Sequence, residues 1–245
     1  MTVPGTDATS WTVVLPVKPF TLGKSRLGSW AGDLRPDWAR AFFLDTLGSV
    51  VRTPGVERVI VVSGDPQART LAVRAGADAV DDTPARGLNA AVRRGAGRAA
   101  ARSAGPVAIV TADLPALRPG ELARVLAEAG ARPRAFLADH TGHGTTVLTA
   151  HTPGLLLPRF EGASRARHAA SGAHEIANPQ VPGARLDVDT PTELVAALRL
   201  GLGPHSTSLA STLGPERPMS MYADVWSLPR VAEVEQSVAE GREAW

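Results

Sequence analysis

The sequence of 245 residues contains no cysteine, and aromatic residues make up only 4% of it. The absence of cysteine excludes disulfides, thiolate catalysis and cysteine-ligated metals. The sequence also has no run of roughly 18 apolar residues, and its first residues lack the charged-then-apolar pattern of a secretory signal. These absences predict a cytoplasmic protein with no membrane partner.

Lysine is almost as scarce as cysteine, because only Lys18 and Lys24 are lysines among the 26 Lys and Arg residues. The formal net charge is +2, there is no long basic run, and aromatics are not interleaved with the arginines. This pattern argues against a nucleic-acid partner. The content of 44% hydrophobic and 20% charged residues is ordinary for a globular protein with a sizeable core. The oligomeric state stays open, a homodimer included.

Both lysines fall in one loop after an apolar run, residues 11–17, that reads as a buried strand. This basic loop, residues 18–26, contains Lys18, Gly23, Lys24, Ser25 and Arg26. Open α/β sheets bind anions where a strand runs into such a loop, and lysine suits phosphate as a point charge. Solvated surface lysines are the alternative. The end of a P-loop pattern is present, but Lys18 stands where its first glycine belongs, so we predict a triphosphate-binding loop of another kind.

Strand and helix patterns alternate along the rest of the chain. Apolar runs at 56–64 and 106–115 predict buried parallel strands, whereas 133–139 and 144–150 flank a Gly-rich turn and predict an antiparallel pair. We also expect a last strand at 185–188. The pattern predicts an α/β protein with three α/β/α layers around a mixed, mostly parallel sheet. We assign residues 1–203 to one domain and 204–245 to a mobile or loosely docked tail.

Carboxylates follow two of these predicted strands. Asp113 comes at the end of an apolar run, and Asp187 and Asp189 share one face of the last predicted strand. With no cysteine and no His-x-x-x-His pair, such carboxylates suit a hard cation, Mg²⁺ shared with substrate phosphates being the obvious candidate. The alternative is helix capping, by Asp113 before Pro115 or by one of the later pair.

Further hydrogen-bond donors occur at three other places. Gly87, Leu88 and Asn89 open a helix, and its N–H groups and the Asn89 amide could bind a nucleobase or sugar. Gly turns before Thr146 and before Ser164 suit a small phosphate or carboxylate. An ordinary N-cap and ordinary turns explain these patterns equally well. For the histidines His140, His143 and His168 we predict surface or loop positions rather than metal ligation.

Together, the basic loop, the Gly-Leu-Asn turn and the separated aspartates indicate a nucleotidyltransferase. In that reaction a phosphorylated small acid attacks the α-phosphate of a nucleoside triphosphate, and the protein contributes positioning and charge neutralisation. Three alternatives stay open. The first is a nucleotidyltransferase with a different acceptor, such as a molybdopterin or sugar acid. The second is a sugar transferase, suggested by Asp187-Val188-Asp189, and the third is a non-catalytic nucleotide-binding protein.

The chain contains, in this order, PVKPFTLGKSRL, GLNAA, TADLPAL, GTTVL, RFEGASRARH and LDVDTPTEL. Over residues 11–200 this set resembles the phosphoenolpyruvate or 2-phospho-L-lactate guanylyltransferases of coenzyme F-420 biosynthesis. The resemblance implies a Rossmann-like, glycosyltransferase-A-like fold of the nucleotide-diphospho-sugar transferase type. It also implies GTP as co-substrate, Mg²⁺ as cofactor and a phosphorylated carboxylic acid as acceptor, with release of pyrophosphate.

The resemblance also assigns roles to residues at matching positions. The phosphates of GTP would be held by Lys18, Lys24 and Arg26 with Gly23 and Ser25, the nucleoside by Gly87, Leu88 and Asn89, the metal by Asp113 and one or both of Asp187 and Asp189, and the acid by Thr146, Glu161 and Ser164. Position 161 departs from the family, which usually has glycine there. A carboxylate at Glu161 would repel a doubly anionic acid unless it points away. Which acid is the acceptor stays open.

Overall fold

The structure, a computed structural model, describes residues 10–212, and these form one mixed sheet with helices on both faces. The strands are β1 (Trp11–Pro16), β2 (Val56–Ser63), β3 (Asp78–Asp81), β4 (Val107–Val110), β5 (Arg134–Ala138), β6 (Thr145–Ala150) and β7 (His174–Glu175). The helices are α1 (Gly28–Ala31), α2 (Arg35–Val51), α3 (Pro66–Arg74), α4 (Leu88–Ala100), α5 (Pro119–Ala129), α6 (Ser164–Ala170), α7 (Pro182–Arg185), α8 (Pro191–Leu200) and α9 (Pro204–Thr212). Single 3₁₀ turns occur at Ser25–Leu27, Gly32–Leu34 and Pro153–Leu155.

The strands are ordered β3-β2-β1-β4-β6-β5-β7 across the sheet. Four of the six strand pairs within residues 10–212 are parallel, and β6 is antiparallel to both of its neighbours, β4 and β5. The predicted mixed, mostly parallel sheet and its antiparallel pair are therefore confirmed. The order changes direction at β1, because β2 pairs on one side of it and β4 on the other.

The central strand β1 is buried along its whole length, which explains its unbroken apolar sequence. Val13 and Leu15 contribute to one apolar cluster, and Val14 joins a second cluster on the opposite face. The second cluster includes the apolar side of α4. That helix packs so closely on the sheet that a Cβ added at Gly95 would overlap the side chain of Val14.

A third apolar cluster lies beside the basic loop. It contains Leu27 from the end of that loop, Trp38 and Phe42 from α2, and Leu186 and Val188 from the segment before α8. The cluster therefore anchors two chain segments that also carry the polar residues Arg26 and Asp189. Burial of the apolar residues fixes where their polar neighbours emerge.

The prediction of a strand at 185–188 is wrong. Pro182 starts the short helix α7, a position that suits proline, and the chain after it is extended without forming a described strand. Alternation still holds, because Leu186 and Val188 are buried while Asp187 and Asp189 are half-buried. The N–H of Val188 donates to the carbonyl oxygen of Asp113 at 3.0 Å, which ties this segment to the end of β4.

The chain also departs from the boundary that we placed after residue 203. Pro204–Thr212 forms α9, which packs against α2, so the ordered fold continues at least to Thr212. The buried carboxylate of Asp45 accepts hydrogen bonds from the N–H groups of His205 at 2.9 Å and Ser206 at 2.8 Å. The sequence contains no obvious signal for this contact, because the capping residue lies in another helix. Residues 213–245, the rest of the predicted tail, lie outside the described range.

Between residues 10 and 212, the structure contains no helix with the length and apolar character needed to cross a membrane.

Replacing Asp45 with alanine should lower the free energy of unfolding by about 1–2 kcal/mol, because it leaves two N–H groups of α9 without their acceptor. Urea denaturation followed by circular dichroism measures this. Asp37→Ala is the matched control in the same helix, since its carboxylate is 45% exposed and pairs with Arg40 at 3.2 Å on the surface of that helix. Equal losses in the two variants would contradict the capping role of Asp45.

Candidate active site

A cleft of about 370 Å³ opens at the carboxyl ends of β1 and β4. This is where the strand order changes direction, the usual ligand position in open α/β sheets. The charged part of its lining comes from the basic loop and from two of the predicted aspartates. Among the residues that line the cleft are Lys18, Gly23, Lys24, Ser25, Arg26, Leu88, Thr111, Ala112, Asp113 and Asp189.

Lys24 lies at the centre of this cleft between two carboxylates. Its Nζ atom is 2.6 Å from Oδ2 of Asp113 and 2.8 Å from Oδ1 of Asp189, and its side chain is only 8% exposed. Burial by itself would lower the pKa of Lys24, but the two carboxylates outweigh burial and raise that pKa. The buried amine is therefore held as an ammonium ion.

The backbone around Lys24 is held in an uncommon conformation. Lys24 adopts left-handed angles (φ 56°, ψ 38°) immediately before the 3₁₀ turn Ser25–Leu27. Arg35, at the start of α2, donates to the carbonyl oxygens of Gly23 at 2.5 Å and Thr21 at 2.7 Å. Arg35 thus holds the basic loop from outside. The local sequence pattern around Arg35 does not indicate this role.

Asp189 is directed into the cleft rather than used as a helix cap. Thr190 is the N-cap of α8, and Glu193 accepts hydrogen bonds from the N–H groups of Asp189 and Thr190, both at 2.7 Å. Burial alone would raise the pKa of Asp189, but Lys24, with smaller contributions from Arg26 and Lys18, outweighs it and lowers that pKa. The capping alternative therefore fails for Asp189.

Asp187 and Asp113 each have one carboxylate oxygen, Oδ1 in both, that is buried without a hydrogen-bond partner among the described residues. Burial, followed by the charges of Asp113 and Asp139, raises the pKa of Asp187 to about 8. His140 lies nearby, with Nδ1 3.5 Å from Oδ1 of Asp187. Carboxylate oxygens of this kind suit a hard cation, but only Asp113 of the two lines the cleft.

Residues 10–212 do not form a complete metal cage, however. Within residues 10–212 no group of three or more His, Asp or Glu side chains is arranged to hold a metal ion. Instead the ammonium group of Lys24 bridges Asp113 and Asp189. The predicted metal role of Asp113, Asp187 and Asp189 therefore stays a prediction.

The turn before α4 is only partly in the cleft. Leu88 lines the cleft, and Gly87 has a left-handed φ of 86°. The side-chain amide of Asn89, which we expected to bind a nucleobase or sugar, is bonded to the backbone of Phe160. Its Nδ2 donates to the carbonyl oxygen and its Oδ1 accepts from the N–H group, both at 2.9 Å.

The three residues predicted to bind the acid do not line the cleft. Thr146 is fully buried, and its hydroxyl donates to the carbonyl oxygen of Ala184 at 2.6 Å. Ser164 is buried at the start of α6. Glu161 is exposed with a left-handed φ of 81°, and its Oε1 lies 3.1 Å from where a Cβ on Gly87 would be. The carboxylate of Glu161 therefore points toward the turn that opens α4.

The prediction of a surface or loop position is wrong for His168, which is fully buried in α6. Its Nε2 accepts the N–H of Arg159 at 3.0 Å, so the ring proton is on Nδ1, which donates to the hydroxyl of Thr145 at 2.9 Å. Burial, followed by the charges of Arg159 and Arg134, lowers the pKa of His168 from 6.5 to about 4. His140 and His143 are exposed residues of the loop between β5 and β6, as predicted.

A basic loop and carboxylates at the switch point of a mixed α/β sheet fit the class of nucleotidyltransferases. Two solved structures share this fold, and both are under 25% identical, so they support the fold alone. One is a nucleotide-diphospho-sugar transferase from Desulfovibrio desulfuricans (TM-score 0.63, 15% identity, 82% of this chain and 94% of that one). The other is 4-diphosphocytidyl-2C-methyl-D-erythritol synthase from Anaerococcus prevotii (TM-score 0.55, 9% identity, 83% and 97%).

Sequence comparison identifies the family. Residues 11–212 match the model of the family described as "Guanylyl transferase CofC like". The chain is 49% identical over 205 residues to the phosphoenolpyruvate guanylyltransferase of Streptomyces coelicolor, covering 83% of this chain and 97% of that protein. It is 42% identical over 212 residues to the enzyme of the same name from Streptosporangium roseum (86% and 95%). The chain belongs to the CofC-like guanylyltransferase family, which confirms the resemblance and the predicted enzyme class.

The buried neutral state of His168 should make stability depend on pH. Because its pKa is about 4 in the folded chain against 6.5 for a free histidine, the unfolded chain binds more protons between these values. The contribution of neutral His168 to the free energy of unfolding is then fully present above pH 6.5. It falls as the pH drops toward 4, by at most roughly 3 kcal/mol.

Urea unfolding of the wild type and His168→Gln across this pH range measures the effect, since the difference between them removes the contribution of the carboxylates. The substitution should flatten the pH dependence. His151→Gln, at an exposed histidine, should leave it unchanged. Parallel curves for the wild type and His168→Gln would show that His168 does not titrate as described.

Proposed function

We propose that this protein transfers GMP from GTP to phosphoenolpyruvate, or to 2-phospho-L-lactate, with release of pyrophosphate. The product is enolpyruvoyl-2-diphospho-5′-guanosine or its lactyl analogue, a precursor in coenzyme F-420 biosynthesis. The observation that carries the proposal is the buried Lys24 between Asp113 and Asp189 in the switch-point cleft. The relatives known as phosphoenolpyruvate guanylyltransferases support the same nucleotide and acceptor.

In the proposed reaction a phosphate oxygen of the acid attacks the α-phosphorus of GTP. A new P–O–P bond forms, and the bond between the α-phosphorus and the oxygen that bridges to the β-phosphate breaks. Pyrophosphate leaves with the negative charge that develops on that oxygen. Lys18, Lys24 and Arg26, all in the cleft lining, are the cations that would hold the phosphates and neutralise this charge, with Gly23 and Ser25 beside them.

Asp113, Asp187 and Asp189 are the residues that would hold Mg²⁺. The fit rests on Oδ1 of Asp113 and Oδ1 of Asp187, which are buried and have no hydrogen-bond partner among the described residues. Mg²⁺ is commonly bound by one or two carboxylates together with substrate phosphates rather than by a cage made of protein alone. When bound, the ion would supply positive charge to the phosphates. The carboxylates of the chain hold Lys24 in place and keep it charged.

The acid is proposed to bind beside the loop that contains Glu161 and leads into α6. Thr146 and Ser164 are both buried, Thr146 at the beginning of β6 and Ser164 at the beginning of α6. We assign them to shaping this subsite as well as to contacting the acid. The exposed carboxylate of Glu161 works against a second anion there. The nucleoside is assigned to the turn Gly87–Leu88, which meets the cleft through Leu88.

The proposal is tested by measuring pyrophosphate release with GTP and Mg²⁺ in the presence of phosphoenolpyruvate, of 2-phospho-L-lactate, or of neither. Mass spectrometry identifies the product. Release that depends on one acid, with a guanylylated product, supports the reaction and names the acceptor. Binding of GTP without release in the presence of either acid would refute it.

Asp113→Asn should reduce kcat/KM by about 100-fold or more, because it removes a charge from the centre of the cleft while preserving shape. Steady-state pyrophosphate release measures this, with thermal unfolding as a check on folding. Asp78→Asn is the control, since Asp78 starts the edge strand β3 and pairs only weakly with Arg98 at 3.8 Å. Activity of Asp113→Asn near that of the control would rule out the proposed role.

Glu161→Gly should lower the KM for the acid several-fold and raise the free energy of unfolding by about 1 kcal/mol. The first effect follows from removal of a repelling carboxylate, and the second from the left-handed φ of 81°, which glycine adopts without strain. Glu161→Gln separates the two, because it removes the charge and keeps the backbone strain. If both variants raise the KM instead, Glu161 assists acid binding.

A further inference from the structure

The backbone at residues 159–161, here called the 159–161 segment, is held by side chains from two helices. His168 in α6 accepts the N–H of Arg159 at 3.0 Å, and Arg167 in the same helix donates to the carbonyl oxygen of Glu161 at 3.1 Å. From the other side, Asn89 in α4 binds both backbone groups of Phe160. The segment thus bridges the turn that opens α4 and the helix that begins with Ser164.

The amide of Asn89 bonds to Phe160 as a neighbouring strand would. One side-chain atom donates and the other accepts, each at 2.9 Å, so the pair fixes both the position and the orientation of Phe160. The side chain of Phe160 is itself buried, with its ring edge-on to that of His168 at 5.1 Å. An amide already committed to this pair cannot read a nucleobase unless the pair opens.

The direction of the following residues depends on this anchored point. After Phe160 the chain turns through two consecutive left-handed residues, Glu161 (φ 81°) and Gly162 (φ 54°), before Ser164 starts α6. Any shift of Phe160 would therefore move both Glu161 and Ser164, the residues assigned to the acid. Leu88, one residue before Asn89, lines the nucleotide cleft. The side chain of Asn89 therefore joins the two proposed subsites.

We propose that Asn89 is a positioning residue for the acid subsite, which it holds against the nucleotide turn through the 159–161 segment. This inference rests on the proposed function for its acid and nucleotide. In this arrangement the side chain of Asn89 belongs to the acid side of the site and does not recognise the nucleobase. The nucleoside is left to the backbone of the turn.

The kinetic test uses Asn89→Ala and the more conservative Asn89→Asp, which keeps an acceptor for the N–H of Phe160 but loses the donor. Both should raise the KM for the acid, by about tenfold or more for alanine, since two hydrogen bonds are lost. The KM for GTP and the preference for GTP over ATP should change less than twofold. Asn178→Ala is the matched control, because Asn178 also bonds a backbone N–H, that of Gln180, but lies in the loop after β7. It should change neither KM.

A weaker affinity for GTP, or a relaxed preference for guanine with an unchanged KM for the acid, would overturn the inference in favour of base recognition by Asn89. Unchanged values for both substrates would overturn it as well. The split between the two KM values is the decisive readout, because a general loss of stability would affect both substrates.

Amide hydrogen exchange supplies a readout without turnover. The N–H of Phe160 should be protected in the wild type and in Asn178→Ala and should lose protection in Asn89→Ala. Retained protection in Asn89→Ala would overturn the inference. If the wild type releases no pyrophosphate with either acid, the proposed function fails by itself, whereas the exchange result still decides whether Asn89 holds the segment.

Discussion

The ion pairs of Lys24 with Asp113 and Asp189 are the interaction on which the site depends. They join three chain segments, since the partners are 89 and 165 residues away in sequence. An ammonium group with so little exposure would be strongly destabilising without partners, because burial penalises an isolated charge. The basic loop, the end of β4 and the segment before α8 must therefore meet for Lys24 to be buried. The same contact sets out the charges that a nucleotide would encounter.

Apolar packing around these ion pairs fixes where the polar residues of the cleft lie. Leu27, Leu186 and Val188 are buried in one cluster, and the residues next to them, Arg26 and Asp189, consequently face the cleft. Hydrogen bonds complete the arrangement. Arg35 holds the carbonyl groups of the basic loop, and Glu193 holds the backbone of Asp189. Such support matters because catalysis by charge neutralisation requires groups that are already in place before the reaction.

Much of this was predictable because it depends on local pattern. The apolar runs predicted the central strands, and the unusual placement of both lysines located the basic loop that lines the cleft. The alternation of residues 186–189 correctly put Asp187 and Asp189 on one face, although the predicted strand is absent. The family resemblance added residue roles that no periodicity contains, and those roles remain to be tested in this chain.

The sequence by itself determined the α/β class, the mostly parallel sheet, the family and the position of the basic loop, because each follows from residues close together in the chain. Only the tertiary structure decided which polar groups are already engaged. It buried His168, paired Asn89 with Phe160 and capped α9 with Asp45 from another helix. These choices depend on contacts between residues far apart in sequence, where the same side chain can cap, bind or pack equally well. Burial and the need to satisfy each buried polar group select among those roles.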